Sequence, residues 1–249
     1  MFQFLLGKRK GVPDARVPDE RRFYAIGDIH GRHDCLVTLL AAIDDDAARA
    51  SQPYQLIFLG DLIDRGPDSA RVVEHLMSIA EARPDTILLM GNHEEVLLLA
   101  ASGNRNALSL FNRIGGRETL LSYGVSQAEY DEADLSELQK LIIRNVPEAH
   151  LTFMAQFAQS VTIGDYHFVH AGVRPGIPLD EQRDSDRRWI REEFTRFTGD
   201  HGAVIVHGHT VTSEVEMLPN RIGIDTGAYQ SGRLTALGLT GSERWILQS

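Results

Sequence analysis

The sequence lacks the features that would place it outside the cell or in a membrane. It has one cysteine, Cys35, so an intrachain disulfide is excluded and a reducing compartment suits the chain. No apolar run approaches the roughly 20 residues needed to cross a bilayer. The opening MFQFLLGKRKG places its charges after a very short apolar stretch, the reverse of a secretory signal. The expectation is a cytoplasmic protein with no membrane partner. Positive charge is also scarce, with 25 Lys and Arg against 35 Asp and Glu and a net charge of −10. Without a basic block, general nucleic-acid binding is excluded, because phosphate-backbone affinity comes from clustered cations. An anionic substrate would need positive charge concentrated at one place. There is no internal repeat, low-complexity run or coiled-coil heptad, so oligomeric state is left unread.

What is present is a globular chain of 249 residues, 43% hydrophobic, enough for a sizeable core. A polar lead over 1–21, with Pro13 and Pro18, is expected to be flexible, and one domain is expected over 22–249. The run FYAIGDIHG predicts a strand entering a glycine-rich turn. Leu36, Leu39, Leu40 and Ile43 then recur with the period of one helix face. YQLIFLG predicts a second strand, and Asp68 or Ser69 can cap the helix carrying Val72, Val73, Leu76 and Ile79. TILLMG predicts a third strand before the helical NHEEVLLLA. This alternation implies a largely parallel sheet with covered faces. A helical segment over about 103–160 is expected to act as a cap, with RIGGRETLLSYGV as a glycine-punctuated loop. Beyond it, VTIGDYHFVHAG predicts a hairpin turning on Gly164 and Asp165, followed by short strands at AVIVHGHT, RIGID, RLTALGL and ERWIL.

Each of the first three strands ends in glycine followed by ligand-type side chains: GDIH, GDLID and GNHE. Their spacing of roughly 30 residues matches one strand–helix–strand unit. In an open parallel sheet the carboxyl ends of the strands share one edge, so the three clusters meet there. FVHAG and VIVHGHT repeat the pattern, delivering His170 and His209. The pooled set of Asp28, His30, Asp61, Asn92, His170 and His209 offers oxygen and imidazole donors without thiolate, which suits Mn, Fe or Zn. Six ligands are too many for one open catalytic ion and fit two divalent ions sharing a carboxylate.

The motifs GDIHG, GDLIDRG, GNHE, HAG and HGHT, in this order, resemble the phosphoprotein phosphatase family of calcineurin-like metallophosphoesterases. WIREEF and RIGIDTGAY are similar to its bacterial branch, the type that includes lambda phage phosphatase. The resemblance implies an α/β fold, a central β-sandwich of two mixed sheets flanked by helices. It also implies one ion, manganese first, on Asp28, His30 and Asp61, and a second on Asp61, Asn92, His170 and His209. A hydroxide between the ions would attack phosphorus directly. Cys35, at the start of a helix, is not in the loop-cradled setting of a cysteine phosphatase nucleophile.

Phosphoryl transfer spreads charge over equatorial oxygens, so planar arginine donors belong around the substrate. Arg65 is the expected clamp, and Arg191 in WIR occupies the place of a second phosphate-binding arginine in similar phosphatases. Arg174 in HAGVRPG is the alternative second clamp or a turn residue. His93 is placed as general acid, with Asp64 orienting its imidazole. His33, His75, His150, His167 and His201 match no ligand position, His207 is a neighbour of the ligand His209, and the acidic run 44–46 is expected to be solvated. The expected activity is hydrolysis of phosphoserine or phosphothreonine in a protein or peptide. The alternatives are a symmetrical dinucleoside tetraphosphate hydrolase, whose usual pattern has alanine in the place of Asp64, and a non-catalytic scaffold.

Overall fold

The computed structural model describes residues 15–249. Among the described residues, ten strands form two five-stranded sheets. The first sheet has β1 (Arg22–Ile26) at its centre, β2 (Tyr54–Phe58) and the short edge strand β3 (Ile87–Leu88) on one side, and the C-terminal hairpin on the other. The second contains β4 (Ser160–Ile163), β5 (Tyr166–Val169), β6 (Val204–His207), β7 (Glu216–Met217) and β8 (Arg221–Gly223) in the order β4-β5-β6-β8-β7. The hairpin strands β9 (Thr235–Thr240) and β10 (Glu243–Gln248) return to the first sheet, giving the order β10-β9-β1-β2-β3. Both sheets are mixed. β1, β2 and β3 run parallel, as do β5, β6 and β8, while β1–β9, β9–β10, β4–β5 and β7–β8 pair antiparallel.

The period of two along each strand explains the layering. Phe23, Ala25, Ile57 and Leu59 face inward and meet Phe168, Val206, Ile222 and Ile224 of the other sheet. Tyr24, Ile26, Leu56 and Phe58 face outward into a larger core beneath the helices. Fully burying a side chain of this size contributes about 1.5–3 kcal/mol. That outer core is closed by α1 (His33–Ala50), α2 (Ser69–Ala82) and α3 (Asn92–Ala101), then by α4 (Arg105–Ile114), α5 (Gly116–Ser122), α6 (Gln127–Glu132), α7 (Leu135–Asn145) and α8 (Glu148–Ala155). On the far side, α9 (Asp184–Trp189) and α10 (Glu192–Thr195) help cover the second sheet around Val169, Ile190, Phe194 and Ile205. The short α11 (Ala228–Ser231) precedes β9. The fold is therefore the expected α/β sandwich of two mixed sheets between helices. No described helix is long and apolar enough to cross a membrane.

Four local expectations differ from the structure. The lead over 1–21 falls outside the described residues as far as residue 14, and its described part is not loose. Ala15 and Val17 are buried in the core between the sheets, the Arg16 amide donates to Asp165 at 2.8 Å, and the Val17 amide donates to Gly241 at 2.9 Å. The glycine-punctuated stretch is a helix junction, because Gly115, at φ 113°, ends α4 and α5 begins at the next residue. Asp46 is buried, since its carboxylate accepts from Arg22 and from the Tyr24 hydroxyl, both at 2.6 Å. Asp68 stands at the start of α2 but makes no capping bond, and Ser69 turns instead to accept the Asp64 amide at 3.1 Å.

His167, on the outward face of β5, is buried with its Nδ1 2.8 Å from the Thr162 hydroxyl. Burial, aided by the Arg187 charge, pushes its imidazole down to about 4. A base whose folded pKa is depressed costs stability as pH falls below its unfolded value, about 6.5, and the loss levels off near 4. Its contribution to acid destabilisation should be on the order of 3 kcal/mol across that window. Urea unfolding in chelator at several pH values, comparing wild type with His167→Gln, checks this: the variant should show the shallower decline.

Candidate metal centre

The carboxyl ends of β1, β2, β3, β5, β6 and β8 share one edge, and each delivers a polar side chain there. Asp28 and His30 follow β1, Asp61, Asp64 and Arg65 follow β2, and Asn92 and His93 follow β3. His170, His209 and Asp225 follow β5, β6 and β8. The carboxylates, imidazoles and Asn92 of this set are all buried. The chain bends sharply to reach this arrangement. His30, Asp61, Asp64, Arg65 and His209 all take positive φ, between 45° and 70°, a conformation costing an L-residue roughly 1–2 kcal/mol. Strain of this kind persists only where the surroundings enforce it. Gly91 supplies the close approach, since a Cβ there would lie 2.3 Å from both the amide nitrogen and Oδ1 of Asp61.

Two donor groups share Asp61. His30, Asp61 and His93 form one, and Asp61, His170 and His209 form the other. Asp61 Oδ2 is 3.6 Å from His30 Nε2, and Oδ1 is 3.4 Å from His170 Nε2. Ligand atoms held about 2.1 Å from one ion stand roughly 3–3.5 Å apart, so the spacing fits divalent cations. The tautomers fit as well. His30 and His170 each donate Nδ1–H to a backbone carbonyl, of Ile63 and Leu59 respectively, at 2.8 Å, which leaves Nε2 with a lone pair. Among the described residues, the buried Nε2 atoms of His30 and His209 have no hydrogen-bond partner. His170 Nε2 faces Asn92 Oδ1 at 3.0 Å, acceptor against acceptor. Such an arrangement is costly unless a cation fills it.

The charges give the same answer. Burial raises Asp28 well above the usual carboxylate range, with help from the Asp225 and Asp61 charges. Burial likewise pushes Asp225 up to about 6. Asp61 is the exception: burial opposes its ionisation, but the His170, His93 and His30 imidazoles outweigh it and hold the carboxyl below its ordinary value. Asp28, Asp61 and Asp225 together call for more positive charge than these imidazoles carry. Asp28 lies at this edge but outside both tight donor groups, its oxygens accepting the His209 amide at 3.1 and 3.2 Å.

His93 is held differently from His30 and His170. Its Nδ1 is 2.7 Å from Asp64 Oδ2, and its Nε2 is 3.0 Å from Arg65 Nη2. Burial opposes protonation of the imidazole, but Asp61 and Asp64 outweigh that and raise its pKa. Asp64 is braced by the helical segment, receiving the Thr119 hydroxyl at 2.6 Å and donating its amide to the same oxygen at 2.9 Å. The Arg65 amide donates to Gly115 at 3.1 Å, and its guanidinium lies 4.7 Å from the Tyr229 ring centre. Arg191 is exposed, and its charge reaches the edge: after burial and neighbouring imidazoles, it helps to lower His170 and His209. Arg174 is instead gripped by Asp186 at 2.7 and 2.9 Å and by Glu193 at 2.5 Å.

Sequence reasoning missed Asp225, Glu94, Thr119 and Tyr229. Asp225 follows the strand end in RIGID, so the strand-end rule applied once more would have found it. The Glu94 carboxylate accepts the amides of Asp61, Leu62 and Gly91, tying two of the motif loops together, and burial raises it to about 7. Its signal was its place three residues after Gly91, the residue that caps α3. Thr119 carried none.

The model of the family described as calcineurin-like phosphoesterase matches residues 21–213. The chain is 27% identical over 239 residues to an asymmetrical bis(5′-nucleosyl)-tetraphosphatase from Anoxybacillus flavithermus, covering 85% of this chain and 88% of that protein. It is 33% identical over 183 residues to a symmetrical bis(5′-nucleosyl)-tetraphosphatase from Acidovorax sp. strain JS42. That match takes in 73% of this chain, which spans half the length of the relative. Among solved structures, a protein assigned as a diadenosine tetraphosphatase superposes with a TM-score of 0.64 at 22% identity, over 94% of this chain and 98% of that one. A serine/threonine phosphatase from Saccharomyces cerevisiae superposes at 0.57 and 15% identity, over 92% of this chain and 80% of that one. At these identities the two structures share the fold.

Proposed function

The chain belongs to the calcineurin-like phosphoesterase family, and from that premise we propose that it is a metal-dependent asymmetrical bis(5′-nucleosyl)-tetraphosphatase. The observation that carries this reading is the correspondence, along nearly the full length of both chains, with the asymmetrical Anoxybacillus protein. Asp64 argues against the symmetrical hydrolase, and it leaves asymmetrical cleavage untouched. The phosphoserine or phosphothreonine phosphatase expected from the motifs becomes the second reading, favoured by the close Asp64–His93 pair.

Asp28, His30 and Asp61 would hold one divalent ion, and Asp61, Asn92, His170 and His209 the other. Bound there, the ions would lower the pKa of water and neutralise phosphoryl charge. His93 is the proton donor, because a carboxylate behind Nδ1 stabilises the imidazolium and orients Nε2 toward a leaving oxygen. Arg65 offers the planar donors for a phosphate beside His93, and Arg191 offers the second set near His170 and His209. Arg174 is committed to Asp186 and Glu193 and is free for neither task.

The test is a product analysis with manganese-loaded protein and diadenosine tetraphosphate. Asymmetrical cleavage releases a nucleoside monophosphate and a triphosphate in equal amounts. Two diphosphates would replace the proposal by symmetrical cleavage. Turnover of phosphopeptide alone would restore the second reading.

A further inference from the structure

Among the described residues, one aromatic side chain stands out as an exposed large hydrophobic: Trp189, at 37%. It lies at the end of α9, and its ring centre is 6.5 Å from that of His209, with the planes at 79°. An indole left in water beside a buried donor set is a surface awaiting a flat partner. Its position is fixed. Nε1 donates to Glu95 Oε2 at 2.6 Å, Glu95 Oε1 pairs with Arg188 at 2.9 Å, and Arg188 reaches Gln159 at 2.8 Å. Glu95 belongs to α3, the helix that begins with Asn92 and His93, so the platform and the donor set share one rigid support. The other ring at this edge, Tyr229, already has the Arg65 guanidinium against it.

We propose that Trp189 is a stacking platform for a nucleobase of the substrate, a proposal that rests on the nucleotide reading given above. A nucleoside polyphosphate with a phosphate at the donor set would extend its ribose and base past His209 onto the indole. The side chain is held before binding, so little rotamer freedom remains to be lost. Base–aromatic stacking of the strength seen in single-stranded nucleic-acid sites corresponds to roughly a tenfold change in affinity.

Calorimetric titration of manganese-loaded protein with ADP and with pyrophosphate separates the base from the phosphates. Trp189→Ala should weaken ADP about tenfold, Trp189→Phe should recover most of the loss, and pyrophosphate should bind alike in all three proteins. The chain has two tryptophans, and in a Trp245→Phe background ADP should quench Trp189 fluorescence while pyrophosphate should not. Equal weakening of both ligands, or of neither, overturns the platform. Failure of the wild type to cleave diadenosine tetraphosphate while the ADP contrast persists would sink the tetraphosphatase reading and keep the platform.

Discussion

Asp61→Asn is expected to reduce turnover at least about a thousandfold, because a shared ligand removes several kcal/mol of charge stabilisation from both ion positions at once. Asp61 sets one oxygen 3.6 Å from His30 Nε2 and the other 3.4 Å from His170 Nε2, and Oδ1 also accepts the His93 amide at 3.0 Å. Asparagine keeps the size and, like aspartate, is among the non-glycine residues that tolerate a φ of 51°. What it removes is the charge and one acceptor. Metal content by atomic emission should fall from two ions per chain to one or fewer, and chelator should reduce the wild type to the same activity. The metal-free variant should melt no lower than the metal-free wild type, since Asp28 and Asp225 lose a buried like-charged neighbour. Two retained ions with turnover within tenfold of wild type would remove Asp61 from the shared position.

The same substitution shows why this site was legible in the sequence. Asp61, His30 and Asn92 sit directly after apolar runs that become β2, β1 and β3, and a parallel sheet brings such ends together whatever its loops do. The third run, TILLMG, pairs through two residues only, yet its end still lands at the shared edge. Residues placed by tertiary packing were not legible. Thr119 reaches Asp64 from a helical segment whose glycines had suggested a loop, and no local pattern ties positions so far apart in the chain. Asp46 illustrates the same limit away from the site, since its partners Arg22 and Tyr24 lie on a strand across α1. Val17 sits in a polar lead without periodicity, and its burial depends on the far end of the chain at Gly241. Substrate class is what the motifs carry least, because they set the phosphorus chemistry, whereas the platform proposed at Trp189 and its Glu95 tether lie outside the ligand positions.

His93→Asn should leave the metal content at the wild-type value and reduce turnover by an amount that depends on the leaving group. An alkyl phosphomonoester expels an alkoxide whose conjugate acid is about as weak as water, near pKa 15.7. Proton donation then carries much of the barrier, and the loss should reach roughly 10²–10⁴-fold. A dinucleoside tetraphosphate expels a phosphate oxygen, whose second pKa is about 6, and needs little help to leave. There the loss should stay within about tenfold. The geometry supports proton donation at Nε2, since Asp64 holds Nδ1 at 2.7 Å and Arg65 Nη2, 3.0 Å from Nε2, can turn from the imidazole to an incoming phosphate. Asparagine can keep a hydrogen bond to Asp64 but cannot carry a proton to the substrate. Comparing kcat for β-glycerophosphate, p-nitrophenyl phosphate and diadenosine tetraphosphate in both proteins measures the slope against leaving-group pKa. A steeper slope in the variant assigns the proton to His93. An equal loss on all three substrates would make His93 a group that stabilises charge or positions Arg65, with the leaving oxygen protonated from solvent.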